Sequence, residues 1–158
     1  MEGIARRAST AKTVLYRRWS GPHDLLVDAL ARAHPVELPT PAAGDLRGDL
    51  LAALTQLTEW MRTPAAGAVL AVMTERARYP DLADALYRRS STRGGTFTAT
   101  VLRHYADKGR IAPARLTPIT TQIGEALVLK LSIDLGRPPT ADEPTAIVDE
   151  ALLPALGV

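Results

Sequence analysis

The sequence predicts an all-α protein, and three observations carry that prediction. Alanine and leucine dominate the apolar residues while aromatic residues make up only 4% of the 158 positions, which favours close-packed helices over sheets. Apolar residues recur at the three- and four-residue spacing of an amphipathic helix in successive segments. Proline and glycine separate these segments where helices begin and end. With 46% hydrophobic residues, the chain can bury a sizeable core.

Three short helices are predicted at the start of the chain. The first covers residues 4–8, and after a tight break the second covers residues 13–19. Gly21-Pro22 opens a third helix with leucines at positions facing one side, and Pro35 ends it because proline cannot continue a helix.

A loop rich in proline and small residues, from Pro35 to Gly44, predicts the boundary between two parts. We expect a head over residues 1–34 and a larger body over residues 44–158. The body opens with a leucine stripe that runs from Leu46 to Met61 at helical spacing.

Two proline-led starts follow in the body. Thr63-Pro64 combines a capping residue with proline at the first helical position, so a new helix is expected there. Tyr79-Pro80 predicts the start of one long helix that reaches Tyr105. Gly94-Gly95 lies inside that span and predicts a bend or a loosened turn, because each glycine costs about 1 kcal/mol relative to alanine.

Thr117-Pro118 opens a further helix, with Gly136 as its expected C-terminal cap. From Ala126 to Leu135 this helix is apolar on more than one face, so it must be covered on all sides. In a protein of this size a second chain is the simplest cover.

A last helix is expected to start between Thr140 and Pro144 and to be amphipathic up to Leu156. We expect this helix and the preceding one to form a two-fold interface, a four-helix bundle built from two chains. The predicted interface residues are Leu127, Leu131, Leu135, Ile147 and Ala151.

Charge is concentrated at the start of the chain, although the net charge is only +2. Up to Trp19 the sequence carries five basic residues against Glu2 alone. Cysteine is absent, which excludes disulfides and thiolate chemistry and fits a reducing compartment. No signal peptide and no membrane span are predicted, so we expect a cytoplasmic protein.

Three motifs stand out in the head: Ile4-Ala5-Arg6-Arg7-Ala8, Leu15-Tyr16-Arg17-Arg18-Trp19 and Leu25-Leu26-Val27. With these motifs the head resembles the DNA-binding unit of the tetracycline-repressor (TetR) family. In that family the first pattern ends a support helix, the second lies in a recognition helix, and the third opens a linking helix. The order and length of the helices in the body resemble the regulatory domain of the same family.

The resemblance implies a helix-turn-helix reader whose second helix enters the major groove. Lys12 and Thr13 would then face base edges, while Tyr16 and Arg17 would bind phosphates. Arg6, Arg7 and Arg18 would add nonspecific attraction to DNA. Leu15 and Trp19 are expected to pack inward against Ile4 and Ala8.

Four features depart from the family pattern. Its first helix normally precedes the position of Met1 and is missing here, so we expect a truncated head. Ser9 stands where the turn usually has glycine, Ala11 replaces the usual capping serine, and Pro22 replaces a basic residue. Either the true start lies upstream of Met1, or the chain is a degenerate relative that keeps the fold and has lost DNA reading.

The body is expected to hold a small-molecule pocket, since bodies of this family generally have one. Its candidate residues, placed by helical phase, are Trp60, Met61, Met73, Phe97, Val101, His104 and Gln122. Plain core packing is the alternative for each of them. His23, His34 and His104 have no partner at metal-ligand spacing, so we predict no metal site and no cofactor.

No catalytic constellation is evident, and we predict that the protein is not an enzyme. The predicted function is transcriptional regulation in a bacterium, in the form of a homodimeric repressor that binds operator DNA and responds to an unknown small-molecule effector. The alternative is a helical dimer that binds a small ligand or a protein partner but no DNA.

Overall fold

The computed structural model describes residues 1–33, 44–91 and 97–158, and the secondary structure of these residues is helical. The all-α prediction is therefore confirmed. The α-helices are α1 Glu2–Arg7, α2 Lys12–Arg18, α3 Pro22–Ala33, α4 Leu46–Met61, α5 Pro64–Thr74, α6 Pro80–Ser91, α7 Ala99–Asp107, α8 Ile123–Leu135, α9 Glu143–Ile147 and α10 Leu153–Leu156. Short 3₁₀ turns cover Pro113–Arg115 and Thr120–Gln122, and a π-helical turn covers Val148–Leu152.

Several helix ends are set by capping residues that the sequence indicates. The Asp45 carboxylate accepts hydrogen bonds from the backbone N–H groups of Arg47 and Gly48, both at 3.1 Å, and so caps α4. The Thr63 hydroxyl accepts from the N–H of Ala66 at 3.3 Å at the start of α5. Gly136 ends α8 in the left-handed conformation, with φ of 62°.

The predicted long helix from Tyr79-Pro80 to Tyr105 is wrong, because α6 ends at Ser91 and α7 begins at Ala99. Phe97 and Thr98 form a turn before α7 and are both buried. The Thr98 hydroxyl donates to the carbonyl of Thr121 at 3.1 Å, a contact that the turn makes possible. Gly94-Gly95 lies outside the described residues, as do most of the predicted boundary loop and His34.

The helix expected at Thr117-Pro118 begins five residues later, at Ile123. Thr117 and Thr120 hold each other in a turn, since each hydroxyl accepts the other residue's backbone N–H, at 2.8 and 3.1 Å. Threonine side chains that bind nearby backbone groups in this way compete with helix formation.

The last helical segment begins at Glu143, within the predicted range, but it is not a regular α-helix. Its middle is a π-helical turn, Val148–Leu152, and Pro154 follows two residues later. Proline has no N–H to donate and its ring meets the carbonyl four residues back, so the wider turn before it relieves that conflict.

Two clusters of buried side chains hold the molecule together. The main core lies between α4, α7, α8 and the last helical segment, and includes Leu50, Leu54, Val101, Val128 and Leu152. A smaller cluster joins α3 to α5 and α6; its members are Leu30, Ala31 and Leu86, with Ala68, Val69, Val72 and Met73 packed against them. Through the smaller cluster the third helix of the head rests directly on the body.

Candidate nucleic-acid interface

Helices α1 and α2 form a packed pair joined by a tight turn. Ala5 of α1 and Leu15 of α2 are buried, with 5% and 7% of their surface exposed. In the turn Ser9 has a positive φ of 48° and its N–H donates to the carbonyl of Arg6 at 3.2 Å. Ser9 occupies the position where the resembled family has glycine, and its backbone adopts the conformation for which glycine is suited.

The expected inward packing of Ile4 and Ala8 is wrong, because both are exposed and Ala5 takes that place. Ile4 is 39% exposed. It lines a shallow, mainly apolar groove of about 540 Å³ together with Met1, Gly3, Arg7 and Ala8. The helical phase of α1 is therefore shifted by one residue relative to the expectation.

The five predicted DNA-binding residues of α2 are all exposed: Lys12, Thr13, Tyr16, Arg17 and Arg18. Their spacing places the first four on one arc of the helix, on the side away from buried Leu15. The Lys12 ammonium lies 5.8 Å from the centroid of the Tyr16 ring. Arg18 lies apart from the other four, with its guanidinium 5.1 Å from the Trp19 ring.

The charge of this face is uniform. Helix α2 contains no acidic residue, and Arg17 and Arg18 lie in its last turn. Ala11 precedes the helix and provides no side-chain cap. The face thus offers cations, a hydroxyl and a phenol, the groups that proteins use against phosphates and base edges.

The C-terminal end of α2 is fixed to α3 by hydrogen bonds. The Trp19 indole N–H donates to the Asp28 carboxylate at 3.1 Å, and the Arg32 guanidinium donates to the same oxygen at 2.9 Å. One residue on, the Ser20 hydroxyl donates to Asp24 at 3.1 Å. These contacts orient the exposed arc of α2 relative to α3.

The predicted pocket residues of the body do not come together in one place. Phe97 and Val101 are buried in the main core, and Trp60 and Met61 pack at its edge. Met73 belongs to the smaller cluster beside α3. Half-buried His104 packs edge to face on Tyr105, with ring centroids 5.2 Å apart, and Gln122 is exposed.

One buried polar pair was not predicted from the sequence. The Tyr105 hydroxyl donates to the Asp49 carboxylate at 2.7 Å between α7 and α4, and both residues are almost fully buried. Burial, followed by the hydrogen bond to Asp49, raises the pKa of Tyr105 to about 12. The sequence feature that could have indicated this pair is the position of Asp49, which lies three residues after Leu46 on the apolar stripe of α4.

The model of the tetracyclin repressor-like C-terminal domain matches residues 40–151. The chain belongs to the tetracycline-repressor family of transcriptional regulators. That match covers nearly the whole body, while the resemblance of the head rests on α1, the turn and α2.

Curated relatives cover the head as well as the body. Two uncharacterized HTH-type transcriptional regulators, one from Mycobacterium bovis and one from Mycobacterium tuberculosis, are each 29% identical over 156 residues. The match spans 99% of this chain and 77% of each relative. The HTH-type transcriptional regulator AqdR of Rhodococcus erythropolis is 34% identical over 79 residues, half of this chain and 38% of that protein.

The predicted dimer residues of this regulator are mostly turned toward its own core. Ile147 is 5% exposed within the core, while Leu127 and Leu131 are half-buried against it. Ala151 is half-buried and Leu135 is 49% exposed. The outward face of α8 instead carries Ala126, Ile133 and the ion pair of Lys130 with Asp134, and Ile133 is 56% exposed.

In the described parts of the chain, no three histidine or acidic side chains lie close enough together to hold a metal ion. Within the same parts, no helix has both the length and the apolar character needed to cross a membrane. Neither observation changes the interpretation of α2 as the candidate site.

Proposed function

We propose that this regulator binds operator DNA through the exposed face of α2. The observation that carries the proposal is the grouping of Lys12, Thr13, Tyr16 and Arg17 on one arc of a helix without acidic residues. A helix of this kind fits the major groove and presents its N-terminal residues to base edges. The names of the mycobacterial and Rhodococcus relatives, all HTH-type transcriptional regulators, support the same interpretation.

Each exposed residue has a role in this proposal. Lys12 and Thr13 are closest to the start of α2 and read base edges, while the Tyr16 hydroxyl and the Arg17 guanidinium bind phosphates. Arg18 adds nonspecific attraction, as do Arg6 and Arg7 on α1, both of which are exposed. Leu15 is buried on the other side of α2 and Trp19 is hydrogen-bonded to Asp28, so these two residues hold the helix in place.

The second part of the proposal is a homodimer that places two α2 helices on one duplex. Its support is Ile133, which is 56% exposed on the outward face of α8. Ala126 lies on the same side of the helix, beside the exposed ion pair of Lys130 and Asp134. Leu127 and Leu131, which the sequence predicts as interface residues, flank this face. Two recognition helices on one side of B-DNA must lie about 34 Å apart to reach successive half-sites.

The third part is regulation in the bacterial cytoplasm by a small molecule that binds the body. A ligand that prefers a body with differently spaced heads releases the dimer from DNA, because it shifts the equilibrium by its difference in affinity for the two states. Genes that the bound dimer represses are then expressed when the ligand is present. Family membership supports this part, and the effector is unidentified.

Fluorescence anisotropy with matched lysine variants tests the DNA-binding role of α2. The duplex is one selected by the wild-type chain from a random-sequence pool, and a scrambled duplex is the comparison. Lys12→Ala should weaken binding to the selected duplex by about 1–3 kcal/mol, because Lys12 faces base edges. Lys108→Ala makes the same charge change at an exposed position of the body and should have little effect.

The proposal for α2 fails if both lysine variants bind the selected duplex equally well. It also fails if the wild-type chain binds the selected and scrambled duplexes equally at every salt concentration. Affinity for the selected duplex should fall steeply as salt rises, since phosphate contacts release counterions.

Sedimentation equilibrium tests the proposed dimer face. Ile133→Glu places a charge on the outward face of α8 and should yield monomers whose helix content equals that of the wild type. Leu26→Glu introduces the same residue on the exposed side of α3, where the native leucine is 40% exposed, and should remain dimeric. A monomeric wild-type chain, or an Ile133→Glu variant that stays dimeric, contradicts the assignment.

A further inference from the structure

Both tryptophans of this chain donate their indole N–H to α3, one to the side chain of Asp28 and the other to the carbonyl of Ala33. Trp19 follows the recognition helix α2, and Trp60 lies near the C-terminal end of α4 in the body. Helix α3 is therefore hydrogen-bonded to the DNA-facing element through one tryptophan and to the body through the other.

The contact on the body side joins Trp60 to the last residue of α3. The Trp60 indole N–H donates to the carbonyl of Ala33 at 3.1 Å, across 27 residues of sequence. The Trp60 ring is packed at the edge of the main core, which makes its position depend on the packing of the body.

The contact on the DNA side lies five residues earlier on α3. Asp28 accepts the Trp19 indole N–H at 3.1 Å and also the Arg32 guanidinium at 2.9 Å. The Asp28 side chain is only 15% exposed. Between the two contacts α3 is held against α5 and α6 by Leu30 and Ala31. A tilt or shift at its C-terminal end therefore moves Asp28 as well, and with it the end of α2.

We propose that Trp60 is a positioning residue for the DNA-binding helix. By holding the end of α3 to the body, it fixes the angle at which α2 is presented, and α3 transmits changes in the packing around Trp60 to Trp19. This inference rests on the proposed DNA-binding function for its biological meaning, while the coupling itself is a property of the chain without DNA.

Fluorine NMR of the chain labelled with 5-fluorotryptophan tests the coupling directly. The wild type gives two resonances, which Trp19→Phe and Trp60→Phe assign. Asp28→Ala, which removes the acceptor of Trp19, defines where the Trp19 resonance lies when that contact is broken. Trp60→Phe keeps an aromatic ring and removes the N–H, and should move the Trp19 resonance toward its position in Asp28→Ala.

Arg62 provides the matched control. Its guanidinium donates to the carbonyl of Pro139 at 2.9 Å, so Arg62→Met also removes a side-chain hydrogen bond to a distant carbonyl near the same end of α4. The acceptor of Arg62 lies in the body, and the Trp19 resonance should stay in place. If Trp60 had a merely structural role, the Trp19 resonance would stay in place in Trp60→Phe as well. That result overturns the proposal.

Coupling is reciprocal, which gives a second measurement in case Trp60→Phe loses helix content. In Asp28→Ala and in Trp19→Phe the Trp60 resonance should move, because the same helix joins the two sites. A Trp60 resonance that stays at its wild-type position in both variants contradicts the proposal.

Measuring the DNA affinity of the same variants separates this inference from the proposed function. With the selected duplex, Trp60→Phe should lose affinity by about threefold or more while its affinity for the scrambled duplex stays constant, since the loss of one hydrogen bond changes the position of α2 and not its charge. If the wild type distinguishes no duplex, the proposed function fails while the NMR result still decides the coupling. If the resonances move but affinity for the selected duplex is unchanged, the positioning role is overturned.

Discussion

At the scale of single residues, Ser9 in the turn between α1 and α2 has a backbone conformation that suits glycine better than serine. Its φ of 48° is left-handed, which costs a residue with a side chain about 1–2 kcal/mol. The N–H of Thr10, the next residue, donates to the carbonyl of Ala5 at 3.0 Å and helps to hold the turn in this conformation.

Replacing Ser9 by glycine should therefore stabilise the protein. The expected gain is about 0.5–1 kcal/mol, because the relief of strain exceeds the added freedom of glycine in the unfolded chain. Thermal unfolding measures it as a higher Tm. Ala8→Gly is the control: Ala8 has φ of −87°, so glycine there should lower the Tm. Equal shifts in both variants would show that Ser9 is unstrained.

The buried pair of Tyr105 and Asp49 makes a prediction about pH at the same scale. The pKa of Tyr105 is about 12 in the folded protein against 10.0 for the free side chain, so folding favours the protonated phenol. The resulting stability is present below pH 10 and is lost as the pH rises from about 10 to 12.

Urea unfolding at several pH values, with Tyr105→Phe as the comparison, measures this effect. The variant should be less stable at pH 7 by about 1–3 kcal/mol, because Asp49 loses a buried hydrogen-bond donor. Its stability should also fall less steeply above pH 10 than that of the wild type. Parallel losses above pH 10 in the two proteins would place the alkaline titration elsewhere.

At the scale of the helices, the packing of α8 against α4 depends on Gly124. A Cβ atom at this position would lie 2.9 Å from Leu54 Cδ2 and 3.2 Å from Leu152 Cδ1. Both leucines are fully buried and have little room to move. Overpacking of this kind typically costs about 1–3 kcal/mol, which outweighs the helix preference of alanine.

Gly124→Ala should accordingly destabilise the protein by about 1 kcal/mol. Gly67 lies in the interior of α5, and a Cβ added there would meet no other atom within 4 Å, so Gly67→Ala should stabilise the protein by about 0.5–1 kcal/mol. Chemical denaturation of the two variants measures both signs. A stabilising Gly124→Ala would mean that the two helices can separate at little cost.

The helices also show which parts of the fold the sequence could predict. The starts of α4 and α5 were predictable because Asp45, Thr63 and Pro64 act locally on the backbone beside them. The break between α6 and α7 was not, because the apolar spacing continues through it and burial of Thr98 depends on α8 being in place. The π-helical turn was not predicted either, although its cause is local: Pro154 has no N–H to donate, and its ring meets the carbonyl four residues back.

The candidate site was likewise predictable in part. Exposure of Lys12, Tyr16 and Arg17 followed from helical phase and the pattern of α2. The phase of α1 was wrong by one residue, since Ala5 rather than Ile4 is buried, and alanine is too small to signal a packing position clearly. The tryptophan contacts to α3 could not be predicted, because they depend on how the head rests on the body.

At the scale of the whole molecule, the body and the proposed DNA-binding face are joined through α3. The smaller buried cluster fastens α3 to α5 and α6, and Trp60 holds its last residue. At the opposite end of α4 from Trp60, the Arg47 guanidinium binds the Asp149 carboxylate in a bidentate ion pair at 2.6 and 2.7 Å, which ties the start of α4 to the π-helical turn. The proposed dimer face on α8 belongs to the same packed body.

The central claim is that two copies of this chain bind one duplex through α2. Sedimentation velocity of the chain, mixed with the duplex it selects and separately with a scrambled duplex, tests it most directly. We expect a complex of two protomers with the selected duplex and free DNA in the scrambled sample at the same salt concentration. Free DNA in both samples, or a single protomer on the selected duplex, would contradict it.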